Sequence, residues 1–154
     1  MIVALRDTSS DDCELYWHWV NDPEVRKQSH NIQLIEWEEH SYWFNKQLGR
    51  DNVRMFVAYD WSSIGAAPVG QIRFEYSNKE WNLSYSVDAE HRGQGISKQM
   101  IQLGIMRLNI IKAEVKPDNT ISNHVFTSLG WVKTGTTYRS PQWSFKYGAT
   151  PAKA

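Results

Sequence analysis

The chain has a single cysteine, Cys13, among its 154 residues. A lone thiol cannot close an internal disulfide, so the fold is not a disulfide scaffold and suits a reducing compartment. No neighbour of suitable chemistry marks Cys13 as a nucleophile, and it reads as a small helix residue. Charge of one sign is also lacking: 17 basic side chains balance 17 acidic ones, so neither nucleic acid nor an anionic membrane is predicted as a partner. The N-terminus has no apolar run preceded by basic residues, which favours an unprocessed, cytoplasmic protein. Repeats and long low-complexity segments are missing. So are a Gly-Lys-Ser/Thr ending for a P-loop and the third glycine and acidic residue of a dinucleotide-binding turn, which excludes two familiar phosphate sites.

What is present reads as one domain over residues 1–147 with a frayed tail, 148–154, poor in large apolar groups. Ile2–Arg6 alternates as a first strand, and Thr8 to Asp11 offers caps for a helix through about Val20, broken by Asn21-Asp22-Pro23. A second helix is predicted over about Leu34–Leu48, with Trp37, Tyr42, Trp43 and Phe44 as buried candidates. Strands follow at Val53–Tyr59, Val69–Tyr76 and Trp81–Val87, the first two separated by a loop over Ser62–Pro68. Beyond them come a helix from Ile96, a strand over Ile110–Lys116, a helix over Asn119–Leu129, and closing strands at Trp131–Tyr138 and Gln142–Tyr147. That order predicts a mixed α/β domain around a central sheet.

The densest signal is Val87-Asp88-Ala89-Glu90-His91-Arg92-Gly93-Gln94-Gly95-Ile96-Ser97-Lys98, where a strand passes through a glycine-rich turn into a helix. Gly93 and Gly95 permit torsions and close approaches that a Cβ would block. The unpaired N–H groups of the new helix, with its dipole, favour an anion such as a pyrophosphate. Downstream, Asn119 can cap a helix, and Gly130 in Ser128-Leu129-Gly130-Trp131 sits where a helix end calls for a left-handed residue.

Arg92-x-x-Gly95-x-Ser97 after a strand ending in valine resembles the coenzyme A signature of the GCN5-related N-acetyltransferases, the GNAT family, with Ser97 in place of the usual last small residue. The segment Ala113–Trp131 resembles the second half of the same family, and both motifs stand in its order and at its spacing. The likeness implies the GNAT fold: a mixed central β-sheet whose strands splay, flanked by about four helices. It also implies transfer of an acetyl group from acetyl-CoA to an amine, with no metal. Backbone groups of Tyr85 and Val87 would bind the pantetheine. The amides of Arg92, Gly93, Gln94, Gly95, Ile96, Ser97 and Lys98 would cradle the pyrophosphate, helped by the charges of Arg92 and Lys98. A backbone N–H near Val87 would polarise the thioester carbonyl, Asn119 would hold the cofactor side, and Phe126 would pack near the thioester.

Direct attack needs a neutral amine and hence a base. The resemblance points to Glu114, which matches a glutamate used as base in ribosomal-protein N-acetyltransferases, with Glu75 second. Many relatives place a proton-donating tyrosine where this chain has Phe126. A water, Ser122 or His124 would have to substitute, or the thiolate would leave unaided.

The acceptor is the least constrained element. Trp19–Arg26, Ser29, Glu38-Glu39-His40, Trp43-Phe44 and Gly70–Phe74 look most like acetyltransferases of nucleotide-linked amino sugars, for which Arg26 or Arg73 would meet a diphosphate and tryptophan faces a sugar ring. Trp19, Arg26, His30 and Arg73 are therefore the substrate candidates. The Asn-Asp-Pro segment also occurs in N-terminal and polyamine acetyltransferases, and a non-catalytic acetyl-CoA-binding module is the alternative of another class. A small-molecule amine is the expected partner, and a monomer or homodimer the expected assembly.

Overall fold

A computed structural model of the chain describes residues 1–108 and 111–141. Its strands are β1 (Val3–Asp7), β2 (Val53–Asp60), β3 (Pro68–Ser77), β4 (Glu80–Val87), β5 (Ile111–Glu114), β6 (Val132–Thr134) and β7 (Thr137–Arg139). The helices are α1 (Cys13–Val20), α2 (Pro23–Gln28), α3 (Trp37–Leu48), α4 (Ile96–Ile105) and α5 (Thr120–Ser128). The strands form one sheet in the order β1-β2-β3-β4-β5-β7-β6. Every neighbouring pair is antiparallel except β4 and β5, which run parallel.

Alternation along β2 divides the interior in two, because successive side chains leave a strand on opposite faces. Phe56 and Ala58 join the larger cluster with Ile72, Phe74, Leu83, Ile111, Phe126 and Trp131. Val53, Met55 and Val57 meet Tyr16, Trp19 and Phe44 from α1 and α3. The first face is covered by α4, which comes so close at Gly104 that a Cβ there would lie 2.5 Å from Phe74 Cζ.

The expected helix between the first two strands begins at Trp37, and a short one, α2, starts directly at Pro23. Proline at a first helical position gives up an N–H that has no partner there, so Asn21-Asp22-Pro23 ends one helix and opens the next, with Asp22 accepting from the Glu24 N–H. Of the aromatics predicted to be buried in α3, only Phe44 is; Tyr42 is 73% exposed, and Trp37 and Trp43 are exposed as well. Helical spacing puts His40, Phe44 and Gln47 inward instead. His40 Nε2 lies 2.8 Å from the Cys13 carbonyl, and burial lowers its pKa against the opposing pull of that bond.

The closing hairpin is also tighter than predicted. β6 and β7 both fall within the stretch read as one strand, Trp131–Tyr138 and its neighbour, and turn at Gly135, whose φ is +61°. The expected strand at Gln142–Tyr147 and the tail lie outside the described residues. No helix among the described residues is long and apolar enough to cross a membrane.

Because Phe74 is wholly buried, it cannot swing aside for a larger residue at position 104. Gly104→Val is expected to destabilise the fold by about 1–3 kcal/mol, measured as a lower midpoint in urea unfolding at unchanged slope.

Candidate active site

The site is built on a parting of the sheet. The parallel register of β4 and β5 holds Trp81 opposite Ile111 and Asn82 opposite Lys112, and there the ladder stops. From Leu83 to Val87, β4 remains bonded to β3 on its other side. The edge it turns toward β5 therefore keeps backbone donors and acceptors that an intact sheet would pair. Tyr85 and Val87, both half-buried, lie on this stretch.

Past the end of β4 the chain makes a short 3-10 turn over Ala89–His91 and enters α4. Gly93 and Gly95 both have left-handed torsions, φ +79° and +75°, and the space where their Cβ atoms would stand is open. Gly95 is the N-cap of α4 and supplies no side-chain acceptor, and the first turn holds no acidic residue. The first N–H groups of this ten-residue helix thus receive no side-chain cap from Gly95, with Lys98 nearby in sequence and no competing carboxylate in the turn. An uncapped helix start beside an unpaired strand edge fits a ligand with a diphosphate and an amide-bearing arm, the chemistry of acetyl-CoA. Gln94 is exposed, Ile96 is buried in the core, and Arg92 donates to Asp22 Oδ1 at 2.8 Å.

The far wall of the parting is α5. Asn119 caps it, accepting from the Ser122 N–H at 3.1 Å. Phe126 is buried against Trp131 and Tyr138, with ring centroids 4.8 and 5.3 Å away. Tyr85 reaches across from β4: its ring meets Phe126 edge-on at 6.0 Å and its hydroxyl lies 2.7 Å from Ser122 Oγ. Burial raises the Tyr85 pKa against the opposing effect of bonds with Ser122 and Ser97. His124 is exposed.

The other face of the sheet is polar around the parting. Register aligns Gln71, Arg73 and Glu75 with Ser86, Ser84 and Asn82. Arg73 donates to Glu75 at 3.0 Å and its guanidinium lies 5.4 Å from the Trp43 ring centroid; Arg50 engages the other Glu75 oxygen at 3.4 Å. Glu114, two residues beyond the Asn82 partner Lys112, is on the same side by parity. It is exposed, and its two oxygens accept from the Thr136 and Thr137 hydroxyls.

The helical segments before β2 are fastened to this site. Trp19 is buried and its indole donates to Asp88 Oδ1 at 2.9 Å, while Asp22 meets Arg92. Lys116, following β5, donates to the Ser29 and Lys27 carbonyls. Arg26 is turned inward: it donates to the carbonyls of Val20, Asn31 and Gln33 and to Ser29 Oγ. Burial lowers its pKa, and the guanidinium organises its own loop instead of facing a ligand. Trp19, with its ring packed inward, likewise offers no face to a sugar. His30 is exposed on the loop after α2. Trp19 packs on the same sheet face as Arg73, through Met55 and Val57, but is buried; of the four substrate candidates, Arg73 alone is paired with Glu75 among the polar side chains of that face.

Sequence reasoning passed over Asp88. Burial pushes its carboxyl up, but bonds from Trp19, His91 and the Glu90 N–H outweigh this and hold it below the usual range. Its position two residues ahead of Glu90, after a strand, is a local signal for an Asx-type cap; nothing local points to Trp19. Among the described residues no three His, Cys, Asp or Glu side chains are grouped to hold a metal.

The sequence model of the acetyltransferase (GNAT) domain matches residues 3–132. No curated protein matches the sequence. A domain from Methanocaldococcus jannaschii DSM 2661 is 22% identical, with a TM-score of 0.76, covering 90% of this chain and 96% of that one. Spermidine N-acetyltransferase from Vibrio cholerae, solved with CoA and spermine, is 18% identical with a TM-score of 0.75, over 89% and 92% of the two chains. An aminoglycoside acetyltransferase solved with coenzyme A and kanamycin is 12% identical with a TM-score of 0.76, over 95% and 98%.

A carboxyl with a lowered native pKa stabilises the fold above its unfolded pKa of about 3.9, and the gain fades as pH falls through the native value. Asp88→Asn is therefore expected to lower the thermal midpoint at pH 7 and to converge on the parent in acid. A difference that stays constant across a pH series of melting curves would contradict the assigned role.

Proposed function

The chain belongs to the GNAT acetyltransferase family and is an acetyl-CoA-dependent N-acetyltransferase; from this we propose that its acceptor is the primary amine of an amino sugar, bound on the polar sheet face beside Trp43, Arg73 and Ser84. The observation that carries the reading is the pairing of charge on that face. Glu75 is held by two arginines, Glu80 by Arg139, and Glu114 by two threonine hydroxyls. A polyamine calls for carboxylates in surplus. A guanidinium stacked on an indole, bordered by Gln71 and Ser86, suits a ring bearing hydroxyls, and Arg73 suits an anionic group such as a nucleotide diphosphate. Without Arg26, that second feature rests on Arg73.

Acetyl-CoA supplies the activated acyl group. The backbone of Tyr85 and Val87 binds its pantetheine, the amides of Arg92 to Lys98 hold its pyrophosphate, and Asn119 and Phe126 wall the opposite side. The N–H polarising the thioester carbonyl comes from this stretch of β4. The incoming amine gives up a proton as its nitrogen bonds to the carbonyl carbon. Glu114 takes that proton, directly or through a water: a carboxylate has about four lone-pair sites, so two threonine hydroxyls leave it able to accept. Glu75, with a guanidinium on each oxygen, is the poorer base and instead orients Arg73.

Two experiments test this. Thiol release from acetyl-CoA is expected with nucleotide-linked or free amino sugars and not with spermidine or N-terminal peptides; turnover with either of the latter alone would replace the proposed acceptor. Glu114→Gln is expected to lower kcat by roughly a hundredfold or more while leaving acetyl-CoA affinity unchanged by calorimetry. An unaltered pH–rate profile would remove Glu114 from the mechanism.

A further inference from the structure

Carboxylates elsewhere in the fold are met by arginines: Asp12 by Arg6, Asp22 by Arg92, Glu75 by Arg50 and Arg73, Glu80 by Arg139. On α3 the charges stand alone. Glu38, Glu39 and Lys46 enter no ion pair among the described residues. They are exposed together with Tyr42 and Asn45, on the side of the helix away from the buried His40, Phe44 and Gln47. The same region leaves large apolar groups in water. Ile32 and Leu34 are exposed in the segment leading into α3, and Trp37, Tyr42 and Trp43 on the helix itself. Apolar side chains gathered in this way mark an interaction surface.

The surface is complementary to itself. Trp37, Ser41 and Asn45 form one row along α3, Glu38, Tyr42 and Lys46 form the next, and an open groove runs between them. Rows at this i, i+4 spacing pack into one another's grooves with the helix axes about 50° apart, the commonest crossing in globular proteins. Glu38 and Lys46 each stand four residues from Tyr42, about 6 Å along the axis on either side of it. A second copy related by a twofold axis beside Tyr42, with its α3 running the opposite way, therefore brings Glu38 of each copy to Lys46 of the other. Running the same way, the helices would set Glu38 against Glu38 and Lys46 against Lys46. A twofold contact requires that if i meets j, then j meets i, and this row satisfies it with opposite charges at both ends and an aromatic ring at the centre. We propose that the outer face of α3 is the surface through which two copies of this chain associate, the Glu38–Tyr42–Lys46 row of each lying in the groove of the other. Trp43, over Arg73 on the opposite flank of the helix, stays clear of the contact.

Sedimentation velocity over a dilution series tests this. The parent protein is expected to pass from monomer to dimer with a dissociation constant on the order of 10 μM, the weak range that suits a contact built on one short helix. Lys46→Glu and Glu38→Lys each set like charges together at both ends of the contact, and each is expected to weaken association by roughly tenfold or more. Mixed in equal amounts, the two variants restore opposite charge at both ends and are expected to form a heterodimer with the parent's affinity. Tyr42→Ala, at a side chain that is exposed in the single chain, is expected to weaken association while leaving the unfolding midpoint of the dilute protein unchanged. A parent that stays monomeric about tenfold above the expected dissociation constant would overturn the proposal. So would a dimer that neither charge variant loosens, or a mixture that associates no more tightly than either variant alone.

Discussion

Strands β4 and β5 are joined at Trp81–Ile111 and Asn82–Lys112 and then part, and the rest of the molecule is arranged around that break. Inside a sheet, an edge of open N–H and C=O groups is costly unless something pairs with it. Two features enforce the break. On one side, β4 stays in register with β3 through Gly70–Val87, so it cannot bend away to follow β5. On the other, β5 is drawn off by β7, which pairs with it from Lys112 to Glu114, and Val115 continues by donating to the Thr136 carbonyl. The open end of the parting is where the chain turns through two left-handed glycines into α4, so the free strand edge leads directly into the free helix start.

A second set of contacts makes the proposed acceptor side and the proposed cofactor side one mechanical unit. The buried bond from Trp19 to Asp88 and the ion pair of Asp22 with Arg92 tie α1 and α2 to the turn before α4. Lys116 ties the end of α2 to the segment after β5. Arg26 stiffens the loop between them from within, its donors spread over the backbone carbonyls of Val20, Asn31 and Gln33. Displacing this loop therefore disturbs both walls of the parting.

Most of the sheet and the glycine turn were legible in the sequence because they depend on local rules. Alternation marked β3 and β4; the glycines marked the entry to α4; Asn119 marked the start of α5. What was not legible is what depends on distant partners. Arg26 read as a ligand group because an arginine beside tryptophans looks available, whereas the fold closes its own loop around it. Tyr42 read as core because an aromatic run hides which residue the helix turns outward. Nothing near Asp88 announces Trp19, which is remote in sequence, and Tyr85 read as a backbone contact because its partner Ser122 arrives with another helix. The turn at Gly135 was missed because one glycine within a strand-like run is a weak signal.

The central claim is that the parting of β4 and β5 with the start of α4 is where acetyl-CoA sits, and amide hydrogen exchange with and without CoA tests it most directly. The account predicts slowed exchange concentrated at Leu83–Val87 and at Gly93–Lys98, where open N–H groups gain a partner. Saturating CoA that leaves those amides unchanged, or protects a different surface instead, would contradict it.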